Sequence, residues 1–159
     1  MSFPRSLRPP KVIAQVKLVL EFNLKGKERP RFSANTGTCY MTSSYELNKQ
    51  TVTLVIRYAL ANAPRFLDPG SMYTVDCTLY RKRRKPLSKS DAEDLDRECP
   101  YGGVCPGKPD VDNALGTVMD AANSVIYEDD SQVVDSHVVR RWAKNTGAVI
   151  VFKKLGKYG

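Results

Sequence analysis

The sequence predicts an α+β protein in which a mixed β-sheet of four or five strands is covered by two main helices. Short segments of alternating apolar residues, typical of strands, are separated by two longer segments whose apolar residues repeat every three or four positions. The chain has 159 residues, 42% of them hydrophobic, which is enough for one domain with its own core. We expect this domain at residues 11–159, after a flexible basic arm at 1–10 and with an inserted loop at about 83–107.

Four segments have the pattern of β-strands. In one of them Tyr73, Val75, Cys77 and Leu79 occupy alternate positions, so their side chains project from one face. Another has apolar residues at both odd and even positions, which is typical of a strand covered on both faces. The predicted strands are residues 12–22, 72–80, 132–140 and 148–152.

Two segments have the pattern of amphipathic helices. The first begins at the Thr and Ser residues of 42–44, which suit a helix N-cap, and ends before Pro64. The second covers about 114–127, with Asp112 or Asn113 as its N-cap. The faces that we expect to be buried carry, in the first helix, Leu47, Thr51, Leu54, Val55, Tyr58 and Ala59, and in the second, Leu115, Val118, Met119, Ala122 and Ile126.

The composition gives no sign of a membrane or secreted protein. No segment approaches the roughly 18 apolar residues that a membrane-spanning helix needs, and we expect no signal peptide. The four cysteines have neither the paired spacing of a zinc site nor the density of a disulfide framework. Cys99 and Cys105 are close enough in sequence for a local disulfide or zinc site, but two thiols cannot complete a tetrahedral zinc site. We expect free thiols, a cytoplasmic location and no membrane partner.

Basic side chains are in excess and are clustered. The net charge is +8 and the isoelectric point is near 9.4, which suits a polyanionic partner such as DNA. The clusters are K-G-K-E-R-P-R-F at 25–32 and R-K-R-R-K at 81–85. The first could instead be a solvated turn, and the acidic residues at 91–98 could neutralise the second. We favour contact with DNA phosphates, and the candidate DNA-binding residues are Lys27, Arg29, Arg31, Arg81, Lys82, Arg83, Arg84, Lys85 and Lys108.

Three aspartates form the candidate active centre. Asp110 and Asp112 are two positions apart, so in an extended segment they project from one face and can share a cation. Asp130 follows the second helix, which would be roughly 20 Å long, whereas the residues after it can recover only about 10 Å. Asp130 should therefore not reach the Asp112 of its own chain. If all three bind one metal, the simplest arrangement is a two-fold dimer with antiparallel helices.

The segment 108–140 resembles the RusA family of Holliday-junction resolvases, through P-D-x-D-N, an apolar helix, D-A and then D-D-x-Q-V-V. The resemblance implies a magnesium-dependent, homodimeric endodeoxyribonuclease that cuts four-way DNA junctions, in a bacterial cell and associated with phages or prophages. By position it assigns Asp110, Asp112 and Asp130 as catalytic carboxylates and metal ligands, with Mg²⁺ as the cofactor and Mn²⁺ as an alternative. Either acidic feature alone would be interpreted as a helix cap or a turn.

One position departs from the family pattern. Gly116 stands where the resemblance implies a lysine, six residues after the first aspartate. A positive charge at the scissile phosphate would then come from elsewhere, and Lys108, Arg29 and Arg31 are the candidates. Two alternative functions stay open: a non-catalytic junction-binding protein in which Gly116 marks a decayed active site, and a metal-dependent nuclease without junction preference.

Overall fold

The fold, described by a computed structural model for residues 10–61, 63, 66–83, 88–91, 93 and 103–156, is α+β as predicted. Its elements in chain order are β1 Val12–Leu20, β2 Arg31–Ser33, β3 Thr38–Tyr40, α1 Ser43–Leu60, β4 Met72–Lys82, α2 Val111–Ala122, β5 Val133–Ala143 and β6 Gly147–Leu155. The predicted basic arm, except for Pro10, and most of the predicted inserted loop lie outside the described residues.

The mixed sheet contains four strands in the order β1-β6-β4-β5. Strands β4 and β5 are parallel, because the connection between them crosses over through α2, whereas β6 is antiparallel to both β1 and β4. These are the four predicted strands. The hairpin of β2 and β3 is a separate two-stranded sheet that the sequence did not predict, since strands of three residues are too short to show alternation.

The helices cover one face of the sheet and form the core with it. The alternating side chains of β4 that we predicted to share a face are buried, among them Tyr73 and Val75. Tyr73 makes an edge contact with Tyr127 at 5.6 Å between ring centroids, and Tyr127 continues to Phe152 at 6.4 Å. On the opposite face of β4, Asp76 pairs with a lysine of β6 at 2.8 Å. Within the described residues the fold therefore has two layers, with polar groups on the face of the sheet opposite the helices.

Helix α1 begins as predicted, but only part of the face that we expected to be buried, including Val55 and Ala59, packs against the core. The side chain of Thr42 caps the helix by accepting a hydrogen bond from the amide of Tyr45 at 3.3 Å. The fully buried residues are Tyr45, Val52 and Ile56, whereas Leu47, Leu54 and Tyr58, which we expected to cover the sheet, are exposed. The two stripes have the same helical spacing and are offset by two residues, so periodicity alone could not choose between them.

Helix α2 is shorter than predicted and ends at Ala122 instead of Tyr127. Ser124 adopts a left-handed conformation, with φ of 61°, and its amide donates to the carbonyl of Tyr127 at 2.7 Å. The chain thus turns sharply after the helix, yet Ile126 is fully buried. A buried turn can place Ile126 in the core just as a continued helix can. The apolar spacing alone therefore does not distinguish the two.

Three of the four cysteines are described, and each is a free thiol, as expected. Cys39 is exposed, whereas Cys77 and Cys105 are buried. Burial raises the pKa of Cys77 to about 12, so this thiol behaves as a core apolar group. Cys99 lies outside the described residues. None of the helices in the described part of the chain is both long and apolar enough to cross a membrane.

Candidate active site

Asp110 and Asp112 lie at the start of α2 and do not use their carboxylates to cap it. The carbonyl of Asp110 accepts a hydrogen bond from the amide of Ala114 at 3.0 Å, so Asp110 is the N-cap residue, two or three positions before the predicted one. Its side chain makes no capping hydrogen bond; Oδ1 lies 2.8 Å from the ammonium of Lys108. Asp112 is exposed in the first turn. A capping role therefore does not account for these two carboxylates.

Asp130 begins a short 3₁₀ turn, Asp130–Gln132, that is capped by Asp129. The amide of Ser131 donates to Oδ2 of Asp129 at 3.1 Å. Hydrogen bonds from the hydroxyl and the amide of Ser131 lower the pKa of Asp129, which makes this carboxylate a poor proton acceptor. Asp129 thus shapes the turn. Within the described residues, no hydrogen bond or ion pair engages the carboxylate of Asp130.

Gln132 ties this turn to the loop before β4. Its Oε1 accepts a hydrogen bond from the amide of Glu128 at 2.9 Å, and its Nε2 donates to the carbonyls of Asp68 and Ser71, each at 2.9 Å. One side-chain amide thereby satisfies backbone groups from two segments. The position of Asp130 relative to the sheet is fixed by this contact.

The three predicted aspartates do not converge within one chain. Helix α2 separates Asp110 and Asp112 from Asp130. It has 12 residues and is about 18 Å long at 1.5 Å per residue. In the part of the chain that the structure describes, no three acidic, histidine or cysteine side chains are placed to hold one metal ion. Carboxylate oxygens are ligands that suit Mg²⁺ or Mn²⁺, but the three aspartates do not form one ligand set in the described chain.

A buried arginine holds the segment that leads into Asp110. Arg140 lies on β5 and is only 7% exposed. Its Nη1 donates to the carbonyl of Gly107 at 2.6 Å, and its Nη2 donates to the carbonyl of Pro109. The amide of Cys105 donates to the carbonyl of Arg140 at 3.2 Å. Because a buried guanidinium needs hydrogen-bond partners, these contacts keep residues 107–109 against the edge of the sheet.

The basic loop packs on the same end of α2. An added Cβ on Gly26 would lie 2.6 Å from the Cβ of Pro109 and 3.1 Å from the Cβ of Asn113, so only glycine permits this approach. The amide of Lys27 donates to the carbonyl of Asn113 at 2.8 Å. The two motifs recognised separately in the sequence, the basic loop and P-D-x-D-N, are thus in direct contact.

The side chain of Lys27 lies against Gly116. It crosses α2 at this point, and a Cβ on Gly116 would lie 3.1 Å from its Cδ. The ammonium of Lys27 is 3.0 Å from Oδ2 of Asp120, which also accepts a hydrogen bond from the hydroxyl of Tyr45 at 3.4 Å. Burial, followed by the charge of Asp120, raises the pKa of Tyr45 to about 12, so Tyr45 remains a neutral donor. Lys27 is therefore an anchored cation.

The other candidate DNA-binding residues differ in their surroundings. Arg81 and Lys108 line one open cleft beside Pro109. Arg81 donates to the carbonyl of Pro106 at 3.0 Å, and the guanidinium groups of Arg81 and Arg83 lie 5.9 Å and 6.0 Å from the ring centre of Trp142. Exposed side chains belong to Arg29, Arg31 and Lys82. Arg84 and Lys85 lie outside the described residues.

The comparison with known proteins decides the family. The sequence matches the family described as Endodeoxyribonuclease RusA over residues 21–152, most of the chain. This chain belongs to the RusA endodeoxyribonuclease family. The matched range includes the basic loop, both acidic positions and Arg140. This RusA family chain is therefore a nuclease that acts on DNA. It is also 33% identical over 130 residues to the "Uncharacterized protein YqaN" of Bacillus subtilis (strain 168), covering 80% of this chain and 87% of that protein.

Three residues that shape the candidate site were not singled out from the sequence. Gly26 lies in the basic segment 25–32, where a glycine by itself indicates only a turn. Gln132 belongs to the D-D-x-Q-V-V segment, but its hydrogen bonds reach residues more than 60 positions away. Arg140 is a charged residue at a buried strand position, and a strand with apolar residues on both faces does not show which of its charges is buried. These roles depend on contacts distant in sequence.

We predict that Arg140→Met destabilises the RusA domain and slows DNA cleavage. Two partly buried carbonyls lose their donor, which should lower the free energy of unfolding by about 1–3 kcal/mol. Chemical denaturation would measure this loss. At a temperature where the variant stays folded, cleavage should fall about tenfold or more because Asp110 is no longer held. Arg57→Met, which removes an exposed arginine of α1, is the matched control. Equal effects of the two substitutions would contradict the positioning role.

Proposed function

We propose that this RusA family nuclease resolves four-way DNA junctions as a homodimer, using Mg²⁺, or Mn²⁺ in its place, held by Asp110, Asp112 and Asp130. One observation carries the proposal. Within the described residues the carboxylates of Asp112 and Asp130 have no hydrogen-bond or ion-pair partner, and that of Asp110 has only Lys108. In a chain of net charge +8, carboxylates that have so few basic partners suit a divalent cation. We assign this activity to DNA recombination and repair in a bacterial cell or its phage.

The proposed chemistry is hydrolysis of a phosphodiester bond. A bound divalent ion supplies a water of lowered pKa and offsets charge on the phosphate. The residues of the chain keep the carboxylate oxygens in position: Arg140 fixes the backbone before Asp110, and Gln132 fixes the turn at Asp130. The free amides at the start of α2 can donate to a phosphate oxygen, because the first turn of a helix leaves its amides without internal partners.

Each protomer is proposed to complete the active site of its partner. Asp110 and Asp112 lie at one end of α2 and Asp130 lies beyond the other, so antiparallel α2 helices from two chains would bring unlike ends together. Two exposed apolar side chains support contact in this region: Val111 lies between the two aspartates, and Val134 lies four residues after Asp130. The dimer would have two equivalent sites, as symmetric nicking of a junction requires.

Lys108 is the candidate that best supplies the charge missing at Gly116. Among the three cations considered from the sequence, it alone contacts a site carboxylate in the described residues, with its ammonium 2.8 Å from Oδ1 of Asp110. Its side chain is 85% exposed, so it can turn toward a phosphate. Lys27 occupies the space at position 116, but its ammonium is paired with Asp120.

We predict that wild-type protein with Mg²⁺ nicks a labelled synthetic four-way junction in pairs, and that Asp112→Asn and Asp130→Asn each abolish cleavage while junction binding persists. Chelation of the metal should have the same effect as either substitution. A mixture of the two variants should regain single nicks, because the mixed dimer restores all three carboxylates at one of its two sites. Gel analysis of the products measures both results. Failure of the mixture to regain activity, with exchange of subunits confirmed, would contradict shared sites.

The location of the dimer contact gives a second prediction. Val134→Glu should shift the protein from dimer to monomer and abolish cleavage, because a charge would be buried beside Asp130 of the same chain. Leu54→Glu, on the exposed stripe of α1, is the matched control and should leave the dimer intact. Sedimentation velocity distinguishes the species. Dissociation by Leu54→Glu alone would place the contact on α1 instead.

A third prediction concerns Lys108. Lys108→Met should reduce the rate of junction cleavage about tenfold to a hundredfold, because a charge-stabilising donor to the phosphate is lost. Junction affinity in chelator should fall much less, since one phosphate contact is a small part of the total. Lys153→Met removes a lysine that is paired with Asp76 on the uncovered sheet face and should leave the rate near wild type. Single-turnover kinetics would measure both, and equal rates for the two variants would exclude Lys108.

A further inference from the structure

The hairpin of β2 and β3 exposes both of its faces. Phe32 pairs with Cys39 on one face, and Arg31 pairs with Tyr40 on the other. Phe32 is 67% exposed and Tyr40 is 49% exposed. A large aromatic side chain at such a position, in a hairpin with no buried face, does not contribute to the core.

The base of the hairpin is fixed, so the exposed residues project from a defined position. The hydroxyl of Thr42, after β3, donates to Oε2 of Glu28, before β2, at 2.6 Å. The amide of Lys25 donates to Oδ1 of Asn48 in α1 at 2.9 Å. At the tip, the amide of Gly37 donates to the carbonyl of Ser33 at 2.8 Å, and Gly37 has a φ of 64° that suits glycine.

The hairpin follows a segment that contacts the N-terminal end of α2, where Asp110 and Asp112 lie. Lys27, whose amide is bonded to Asn113, precedes Arg31 by four residues, which span at most about 14 Å. The two side chains of this connection that are exposed and charged, Arg29 and Arg31, are both basic. The carboxylate of Glu28 is engaged by Thr42 and does not offset them locally. The exposed ring of Phe32 therefore follows two exposed cations, in a segment that starts from the contact of Lys27 with the first turn of α2.

We propose that this hairpin recognises the open centre of a DNA junction, with Phe32 stacked on a nucleobase and with Arg29 and Arg31 on the adjoining phosphates. The inference rests on the proposed function and assigns the selection of junctions over linear duplex to these residues. In continuous duplex each base is covered on both sides by its neighbours, whereas the base pairs at a branch point can expose a face to an aromatic side chain. The positive charge beside Phe32 suits DNA and opposes contact with the same surface of a second chain.

The test compares the binding of a four-way junction with that of a linear duplex of the same sequence, in chelator, by fluorescence anisotropy. Phe32→Ala should weaken junction binding about tenfold and duplex binding by less than about twofold, because only the stacking contact is lost. Phe32→Trp should retain the preference. Ile13→Ala, which removes a side chain of similar exposure (57%) at the far end of β1, should change neither affinity. A 2-aminopurine base at the junction centre should be quenched by wild-type protein and by Phe32→Trp but not by Phe32→Ala.

The outcomes separate this inference from the proposed function. Equal weakening of both DNAs by Phe32→Ala, or no change in either, would overturn the role of the hairpin. A shift in sedimentation of Phe32→Ala without DNA would identify the hairpin as a contact between subunits and would overturn the role as well. Junction preference that depends on Phe32, in a protein that does not cleave with Mg²⁺ or Mn²⁺, would support the hairpin and contradict only the proposed function.

Discussion

The guanidinium of Arg140 determines where the acidic end of the site can lie. It is buried on β5 and engages the carbonyls of Gly107 and Pro109, the residues that bring the chain to the start of α2. Pro109 in turn supports Gly26, whose lack of a side chain lets the basic loop approach the helix. The loop, the aspartates and the hairpin beyond them thus depend on one cation that makes no contact with DNA or metal in the proposed reaction.

Helix α2 separates the acidic groups that the proposed chemistry needs together. It is about 18 Å long and lies between Asp130 and the aspartates at its start, and the parallel pairing of β4 with β5 fixes the helix as the crossover between them. A single chain consequently contains two incomplete acidic positions. In the proposed dimer this separation would make activity depend on assembly, since hydrolysis would require both protomers.

The sequence was sufficient where short-range patterns decide the structure. Alternation along 72–80 identified β4 and its buried face, and Thr42 identified the start of α1. The predicted separation of Asp130 from Asp112 assumed a helix to Tyr127 and a three-residue return, whereas the helix ends at Ala122 and eight residues lead from it to Asp130. The sequence was insufficient where two helix faces have the same pattern. The stripe of Leu47 and the stripe of Tyr45 have equal spacing, and only the packing of α1 against the sheet and α2 selects the second.

Contacts across the chain could not be derived from local patterns. Nothing near Gln132 indicates that its amide group joins the Asp130 turn to the loop before β4, and the basic loop gave no sign that it would rest on Asn113. The RusA resemblance supplied the candidate aspartates because they lie in one short segment. It did not supply the residues that hold them, which are spread over more than a hundred positions from Gly26 to Arg140.

The contact of Lys27 with Gly116 couples two positions that are far apart in sequence. A long side chain lies above this turn of α2, and it comes from the loop instead of the helix. A lysine at position 116 would therefore compete with the one at position 27, whereas reduction of residue 27 to a small side chain would make room for it. Substitutions at the two positions should be non-additive, and relatives that carry a large residue at one should carry a small residue at the other.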